Sequence, residues 1–191
     1  HRCAGNVLGI DADDPGVIHS SAEITADELL SMHPVDAIID FSSESGVDYY
    51  GDAAASRSIS IVCAISQWHR EVDGVFDDWA RRTRVLWSPN ITIGINFMLL
   101  AAQTLRAISP CCDVEIVEEH FKAKREVSGT AVRLAMGLGV NPESIKTIRA
   151  GGIIGTHEIL FGFPFQTVRL RHESISREAF ADGAIFAAQH L

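Results

Sequence analysis

The sequence lacks any long hydrophobic run: no apolar stretch in its 191 residues approaches the roughly 18 that a membrane-spanning helix needs. It also lacks an excess of positive charge. The formal net charge is -9, and a field of that sign repels the phosphates of nucleic acids and of anionic membranes. These two absences argue against a nucleic-acid or membrane partner, while a local basic pocket for an acidic metabolite stays compatible with them.

Cysteine is scarce, and its spacing shows no redox or metal motif. The four cysteines, none of them in a C-x-x-C pair, are Cys3, Cys63, Cys111 and Cys112. This usage predicts a reducing, cytoplasmic setting. The eight histidines show no metal-ligand spacing either, so no metal site is predicted.

The first half of the chain alternates apolar, strand-like runs with helical patterns. The predicted strands cover 6–12, 36–42, 59–65 and 85–87, and the predicted helices cover 26–33, 45–58 and 72–82. Such alternation with short connections is typical of a doubly wound parallel sheet. Ligands bind at the carboxyl ends of the strands in these sheets, so we expect a cofactor rim there.

After Thr92 the pattern changes to that of an α+β domain. Helices are predicted at 94–109, 128–138 and 177–191, and strands at 113–119, 145–149, 157–162 and 167–172. The segment 113–119 alternates acidic and apolar residues, which predicts a strand with one face exposed to water. The sequence therefore predicts two domains of different architecture.

The segment 118–131 carries the densest chemistry. His120 and Lys124 precede a predicted helix start at Ser128, where backbone N–H groups and the hydroxyls of Ser128 and Thr130 would form a carboxylate site. A histidine there can transfer a proton near neutral pH. The alternative interpretation is a solvated basic loop followed by an ordinary serine N-cap.

Five segments occur in the same order as five signatures of one known family. They are Asp40-Phe41-Ser42-Ser43, Asn90-x-Thr92-x-Gly94-x-Asn96, Glu118 to Ala131, Arg149-x-Gly151-x-x-x-Gly155-x-His157, and His172 to Ala184. Together they resemble the signatures of the dihydrodipicolinate reductase family, and they span most of the chain.

The resemblance implies an incomplete Rossmann-like parallel sheet domain and an α+β substrate and oligomerisation domain with a mixed sheet. The first would cover 1–92, joined by the helix 177–191, and the second would cover 93–176. It further implies a homotetramer that uses NADH or NADPH to reduce a cyclic unsaturated imine dicarboxylate in lysine and diaminopimelate biosynthesis.

The resemblance also assigns roles to residues. His120 would be the general acid, and Lys124 would stabilise or relay the proton. The expected substrate-binding residues are Ser128, Gly129, Thr130 and Arg177. The expected cofactor-binding residues are Asp11, Phe41, Ser42, Ala64, Ser66 and Asn90. For Arg177, a salt bridge at the helix start is an equally good interpretation.

The sequence departs from the family pattern in four places. Phe121 replaces the second histidine of a His-His pair, and the loop before Ser128 is one residue shorter and lacks a proline. Ala64-Ile65-Ser66 replaces a Gly-Thr-Thr turn, and the N-terminal G-x-x-G-x-x-G element is absent. Because that element supplies the central strand and the pyrophosphate site, we expect that the sequence is truncated or that the segment was lost.

Cofactor preference and the rival functions depend on these departures. Asp11 would then accept hydrogen bonds from the ribose hydroxyls, and no arginine follows it closely in the sequence to bind the 2′-phosphate of NADPH, which favours NADH. The alternative interpretation of Asp11 is an acidic loop residue beside a Pro-Gly turn. The rivals are a catalytically degenerate relative that acts as an oligomeric binding or scaffold module, and a reductase of a different imine acid.

Overall fold

The computed structural model describes residues 7–11, 14–17, 21–65, 68 and 73–191, and only the backbone of the first two segments and of Asp73. The chain forms two compact units, one of residues 1–87 with 190–191 and one of residues 88–189. All of the last helix except its final residue falls in the second unit, and its predicted attachment to the first domain stays a prediction.

The first unit contains a parallel sheet and three helices among its described residues. Its elements are β1 (Val7–Asp11), β2 (Asp14–Val17), α1 (Ala26–Met32), β3 (Ala37–Asp40), α2 (Glu44–Ser56), β4 (Ser60–Cys63), α3 (Asp73–Ala80) and β5 (Val85–Trp87). Strands β3, β4 and β5 are parallel neighbours in that order. The central strand β4 buries Ile61, Val62 and Cys63 completely, which explains its uninterrupted apolar run.

The first strand pairs differently from its prediction. We predicted a strand in the parallel sheet followed by a Pro-Gly turn, but β1 runs antiparallel to β2, and β2 itself contains Pro15 and Gly16. Only two residues separate the two strands in sequence. A parallel pairing needs a crossover of roughly a dozen residues or more, so a connection this short permits only the antiparallel arrangement.

The second unit is built around a four-stranded mixed sheet. Its elements are α4 (Ile93–Ile108), β6 (Asp113–His120), α5 (Gly129–Leu138), a 3₁₀ turn (Pro142–Ser144), β7 (Lys146–Arg149), β8 (Thr156–Phe163), β9 (Gln166–Glu173) and α6 (Glu178–His190). The strand order is β7-β6-β8-β9; β7 is parallel to β6, and the other pairs are antiparallel. The predicted fold class, a parallel sheet plus a separate mixed sheet, is confirmed.

Helices α4 and α5 pack together on this sheet and enclose the core of the second unit. That core includes Ile95, Met98, Ala102, Ile116, Leu134, Ala135, Ile159 and Phe161. Helix α5 is capped after Leu138 by Gly139, whose φ of 68° lies in the left-handed region that glycine adopts without strain. In the part of the chain that the structure describes, no helix combines the length and the apolar content required to cross a bilayer.

Candidate active site

Strand β6 places an acid and a histidine on its buried face. Residues of even number along β6 point to one side of the sheet, so Ile116, Glu118 and His120 share a face. Glu118 is 0% exposed and His120 is 8% exposed. The prediction that the acids of this strand face water is therefore wrong for Glu118, because the alternation of acids and apolar residues shifts by one position after Ile116.

Both oxygens of the Glu118 carboxylate accept hydrogen bonds from buried or half-buried groups. Arg149 donates to both of its oxygens, at 2.6 Å from Nη2 and 2.9 Å from Nη1. His120 Nδ1 lies 2.5 Å from Oε2, and the Ser128 amide donates to Oε1 at 3.3 Å. Burial raises the pKa of Glu118, but the hydrogen bonds from Arg149, His120 and Ser128 outweigh it and leave that pKa below its usual value. The group is therefore an ionised carboxylate that only accepts hydrogen bonds.

Arg149 also ties the basic loop to this carboxylate. Its Nε donates to the Lys124 carbonyl at 2.9 Å, and its Nη2 donates to the Glu126 carbonyl at 2.9 Å. The Lys122 amide additionally donates to the Gly151 carbonyl at 3.0 Å. The loop that carries the predicted cation Lys124 is therefore fixed by the side chain of Arg149 and by a main-chain bond to Gly151, two residues after β7.

The second nitrogen of His120 faces a glycine. A Cβ atom built on Gly155 would lie 3.1 Å from His120 Nε2, closer than most side chains approach. The ring of His157 meets the ring of His120 edge to face, with centroids 5.3 Å apart. His120 thus has its Nδ1 held by Glu118 while its Nε2 lies beside a residue that has no side chain.

The start of α5 is joined to the same cluster through Ser128. This serine stands at the N-cap position, but its hydroxyl makes no capping bond and lies 2.9 Å from His157 Nε2. The first turn of α5 therefore has no side-chain cap, which leaves helix N–H groups available to an anion. A Cβ built on Gly129 would meet nothing within 4 Å, so the helix start borders open space.

His157 is a neutral histidine. Burial, followed by the charge of His120, lowers the pKa of His157 to about 3. Its Nδ1 has no hydrogen-bond partner among the described residues. A neutral ring bonded to Ser128 can orient that hydroxyl without adding a charge beside the helix start.

The structure brings part of the predicted site together and adds residues that we did not predict. His120, Ser128 and the loop of Lys124 belong to one bonded cluster, and Gly129 and Thr130 follow directly in α5. Glu118, Arg149 and His157 were missed as site residues. The shared parity of residues 116, 118 and 120 could have revealed Glu118, because side chains two apart on a strand share a face.

Three of the predicted cofactor residues, Phe41, Ser42 and Ala64, lie at the carboxyl ends of strands β3 and β4. Asp40 Oδ1 accepts the Ser42 amide at 2.7 Å, Asp40 Oδ2 accepts the Tyr50 hydroxyl at 2.8 Å, and the Ala64 amide bonds the Asp40 carbonyl at 2.8 Å. Phe41 is 49% exposed at this edge. The side chain of Asp11 and all of Ser66 lie outside the described residues.

Asn90 and Arg177 lie in the second unit. Asn90 is buried, and its carbonyl accepts from Asn96 Nδ2 at 2.8 Å. Gly94 follows in the same motif, where a Cβ would lie 2.5 Å from the His172 ring. Arg177 is exposed and forms no ion pair with a described residue. The cofactor role of Asn90 and the substrate role of Arg177 stay predictions.

These features define a two-unit α/β protein whose second unit combines an acid–base pair with an uncapped helix start suited to an anionic ligand. Among the described residues, no cluster of three or more histidine, cysteine or acidic side chains could hold a metal ion.

Comparison with known proteins agrees with this description. The sequence family "Dihydrodipicolinate reductase, C-terminus" matches residues 91–191. A 4-hydroxy-tetrahydrodipicolinate reductase of Anaeromyxobacter dehalogenans strain 2CP-C is 32% identical over an alignment that covers 100% of this chain and 80% of the relative. A 4-hydroxy-tetrahydrodipicolinate reductase of Nitratidesulfovibrio vulgaris strain Miyazaki F is 31% identical over an alignment that covers 86% of this chain and 73% of the relative.

A solved structure has the same fold. The dihydrodipicolinate reductase of Paenisporosarcina sp. TG-14, determined with dipicolinate bound, superposes with a TM-score of 0.76 over 95% of this chain and 77% of that one, at 23% identity. The chain belongs to the dihydrodipicolinate reductase family, whose members are oxidoreductases.

Proposed function

We propose that this protein reduces 4-hydroxy-tetrahydrodipicolinate to tetrahydrodipicolinate with a nicotinamide cofactor, in lysine and diaminopimelate biosynthesis. The observation that carries the proposal is the bonded cluster of the second unit. In it, one buried carboxylate, Glu118, contacts the proton donor His120, the amide of Ser128 at the helix start, and Arg149, which holds the loop of Lys124. A reductase of an imine diacid needs this combination of proton donor and carboxylate site.

His120 acts as the general acid in this proposal. Loss of the 4-hydroxyl group as water leaves an unsaturated ring, and the cofactor, when bound, would supply a hydride to that ring. The imidazolium of His120 then donates its proton to the ring, and the buried carboxylate of Glu118 stabilises the imidazolium before transfer. The ammonium of Lys124 lies on a loop fixed by Arg149 and stabilises negative charge on the substrate.

The first turn of α5 holds a substrate carboxylate. The N–H groups of Gly129 and Thr130 lack a side-chain cap, and the positive end of the helix dipole favours an anion there. The Thr130 hydroxyl and the Ser128 hydroxyl, which His157 orients, add two further donors. Arg177, which is exposed and lies just before α6, is a further substrate-binding residue.

The carboxyl edge of the parallel sheet fits a dinucleotide. Phe41 exposes an apolar ring there, suited to a flat heterocycle, and Asp40 fixes the turn through the Ser42 amide. Ser42, Ala64 and Ser66 complete the residues of this unit that would hold it, and Asn90 is proposed as a cofactor residue from the family resemblance alone. With Asp11 on the ribose hydroxyls and no arginine for a 2′-phosphate, we propose a preference for NADH. A roughly tenfold higher kcat/KM with NADPH would refute that preference.

We also propose a homotetramer assembled through the second unit in the cytoplasm. Support comes from large apolar side chains that this unit leaves exposed, among them Phe165 at 100% and Ile175 at 87%. Burial of such side chains against a second copy of the chain removes apolar surface from water and so favours association. Sedimentation velocity on the purified protein tests the assembly, and a single monomeric species would refute it.

A reductase of a different imine acid is the second candidate, and Phe121 favours it. This residue stands beside His120, where the resemblance leads us to expect a second histidine, and its side chain is 39% exposed. A phenyl ring offers no hydrogen bond to a substrate. A higher kcat/KM for an imine monocarboxylate than for the dicarboxylate would favour this candidate over the first.

The direct test is NADH oxidation by the full-length protein with freshly generated 4-hydroxy-tetrahydrodipicolinate. We expect loss of NADH absorbance that depends on both enzyme and substrate, with formation of tetrahydrodipicolinate identified by mass. A reaction without substrate is the control. Absence of turnover by a folded protein that binds NADH would refute the proposal and favour the scaffold alternative.

A further inference from the structure

We infer that Glu118, held in place by Arg149, is the positioning residue that keeps a proton on His120 Nδ1 and makes His120 Nε2 the atom that donates to the substrate. This inference rests on the proposed function and adds to it an orienting pair and an identified donor atom.

The first step of the argument concerns the protonation of Glu118. The guanidinium of Arg149 donates to both carboxylate oxygens, and the carboxylate side chain is 0% exposed. A bidentate pair of this kind keeps the acid ionised. An ionised carboxylate has no proton to donate, so the 2.5 Å contact to His120 requires Nδ1 to be the donor.

The second step concerns the free nitrogen. With Nδ1–H fixed on Glu118, the transferable proton of the imidazolium is the one on Nε2. When the Nε2–H bond breaks, its electron pair stays on Nε2, the proton goes to the substrate, and a neutral Nδ1–H imidazole remains bonded to Glu118. Gly155 lies next to Nε2 and has no Cβ, so no side chain at this position crowds that atom.

The third step concerns the surroundings of His120. Among the described residues, His120 contacts Glu118 on its own strand and the ring of His157 on β8, and Arg149 on β7 binds the same carboxylate. Glu118 is the sole anion among these groups, and His157 is neutral. The orientation of the ring therefore depends on one carboxylate.

The tautomer can be measured directly by NMR. We would label the histidines of the full-length protein with ¹⁵N and record long-range ¹H–¹⁵N correlations without substrate, at a pH where the rings are neutral. His120→Gln identifies the signals of His120 by their disappearance. We expect the Nδ1–H tautomer, and an Nε2–H tautomer would overturn the inference. Because no substrate is present, an inactive wild type would refute the proposed function while the tautomer still decides the inference.

Kinetics of matched variants supply the second test. Glu118→Gln should lower kcat by about 10- to 100-fold, the usual effect of removing an orienting partner, with KM changed by less than about threefold. Glu119→Gln is the control, since this neighbour points to the opposite face and contacts Arg171 at 3.4 Å. An unchanged kcat in Glu118→Gln would overturn the inference.

A third variant addresses the donor atom without touching the ion pair. Gly155→Ala adds a methyl group about 3.1 Å from Nε2 at a residue whose φ is not in the left-handed region. We expect kcat to fall by about tenfold through crowding of the donor. Gly152→Ala is the control, since a Cβ there meets nothing within 4 Å. Equal kcat in the two variants would contradict the placement of the donor atom.

Discussion

Replacing Arg149 by methionine should destabilise the second unit strongly. The Arg149 side chain is 17% exposed and that of Glu118 is 0% exposed, so the substitution leaves a buried carboxylate without its cation. Breaking a buried pair in this way typically costs about 3–5 kcal/mol. The bonds from Arg149 to the carbonyls of Lys124 and Glu126 disappear as well. We expect the free energy of unfolding near neutral pH to fall by about 3–5 kcal/mol.

The pH dependence of this loss has a definite sign. The pKa of Glu118 is lowered in the folded wild type, so the stability it contributes is fully present above the unfolded pKa of about 4.3 and is lost as the pH falls through the folded value. In Arg149→Met, burial is no longer outweighed and raises the pKa of Glu118 above its usual value. The ionised carboxylate of the variant therefore destabilises the folded state, whereas that of the wild type stabilises it. The difference between wild type and variant should therefore shrink on acidification.

The assay must report on the second unit. The three tryptophans, at positions 68, 79 and 87, all lie in the first unit, so hydrogen exchange of the β6 and β8 amides in urea is the appropriate measurement. Arg169→Met is the control, since this arginine is 58% exposed and pairs with Glu158; it should lose less than about 1 kcal/mol. A loss below about 1 kcal/mol for Arg149→Met, or a loss that does not depend on pH, would refute the reasoning.

Three further predictions concern the same unit. Lys124→Ala should lower kcat and raise KM for the dicarboxylate by about tenfold each, measured by steady-state NADH oxidation; an unchanged KM would remove Lys124 from binding. Because the pKa of His157 is lowered to about 3, unfolding free energy should decline as the pH falls from about 6.5 towards 3, and His157→Gln should flatten that slope in urea titrations. Gly183→Ala should destabilise by more than about 2 kcal/mol in the same titrations, since its Cβ would lie 2.1 Å from the Ile91 carbonyl, whereas exposed Gly74→Ala should not.

Most elements could be predicted from the sequence because hydrophobic period and turn residues act locally. The strand Val85–Trp87 was predicted with its observed limits, and the helix 128–138 differs from α5 by one residue. The predicted pairing of β1 was wrong, because the spacing of apolar residues shows that a segment is extended but does not show which strand will be its neighbour.

The candidate site was only half predictable, for a related reason. His120, Lys124 and Ser128 lie within nine residues, and their spacing before a helix start is visible in the sequence. Arg149 is 31 residues from Glu118, and β6–β7 pairing brings them together. The alternative interpretation made Ser128 an ordinary N-cap of α5, but its hydroxyl is hydrogen-bonded to the neutral His157 of β8, a contact that no local pattern indicates.

The steady-state kinetics of His120→Gln in the full-length protein test the central claim most directly. If the imidazole donates its proton in the transition state, kcat should fall by about 10²- to 10⁴-fold while KM for 4-hydroxy-tetrahydrodipicolinate changes by only a few fold. Turnover at the wild-type rate by a folded His120→Gln protein would contradict the assignment of this residue as the proton donor.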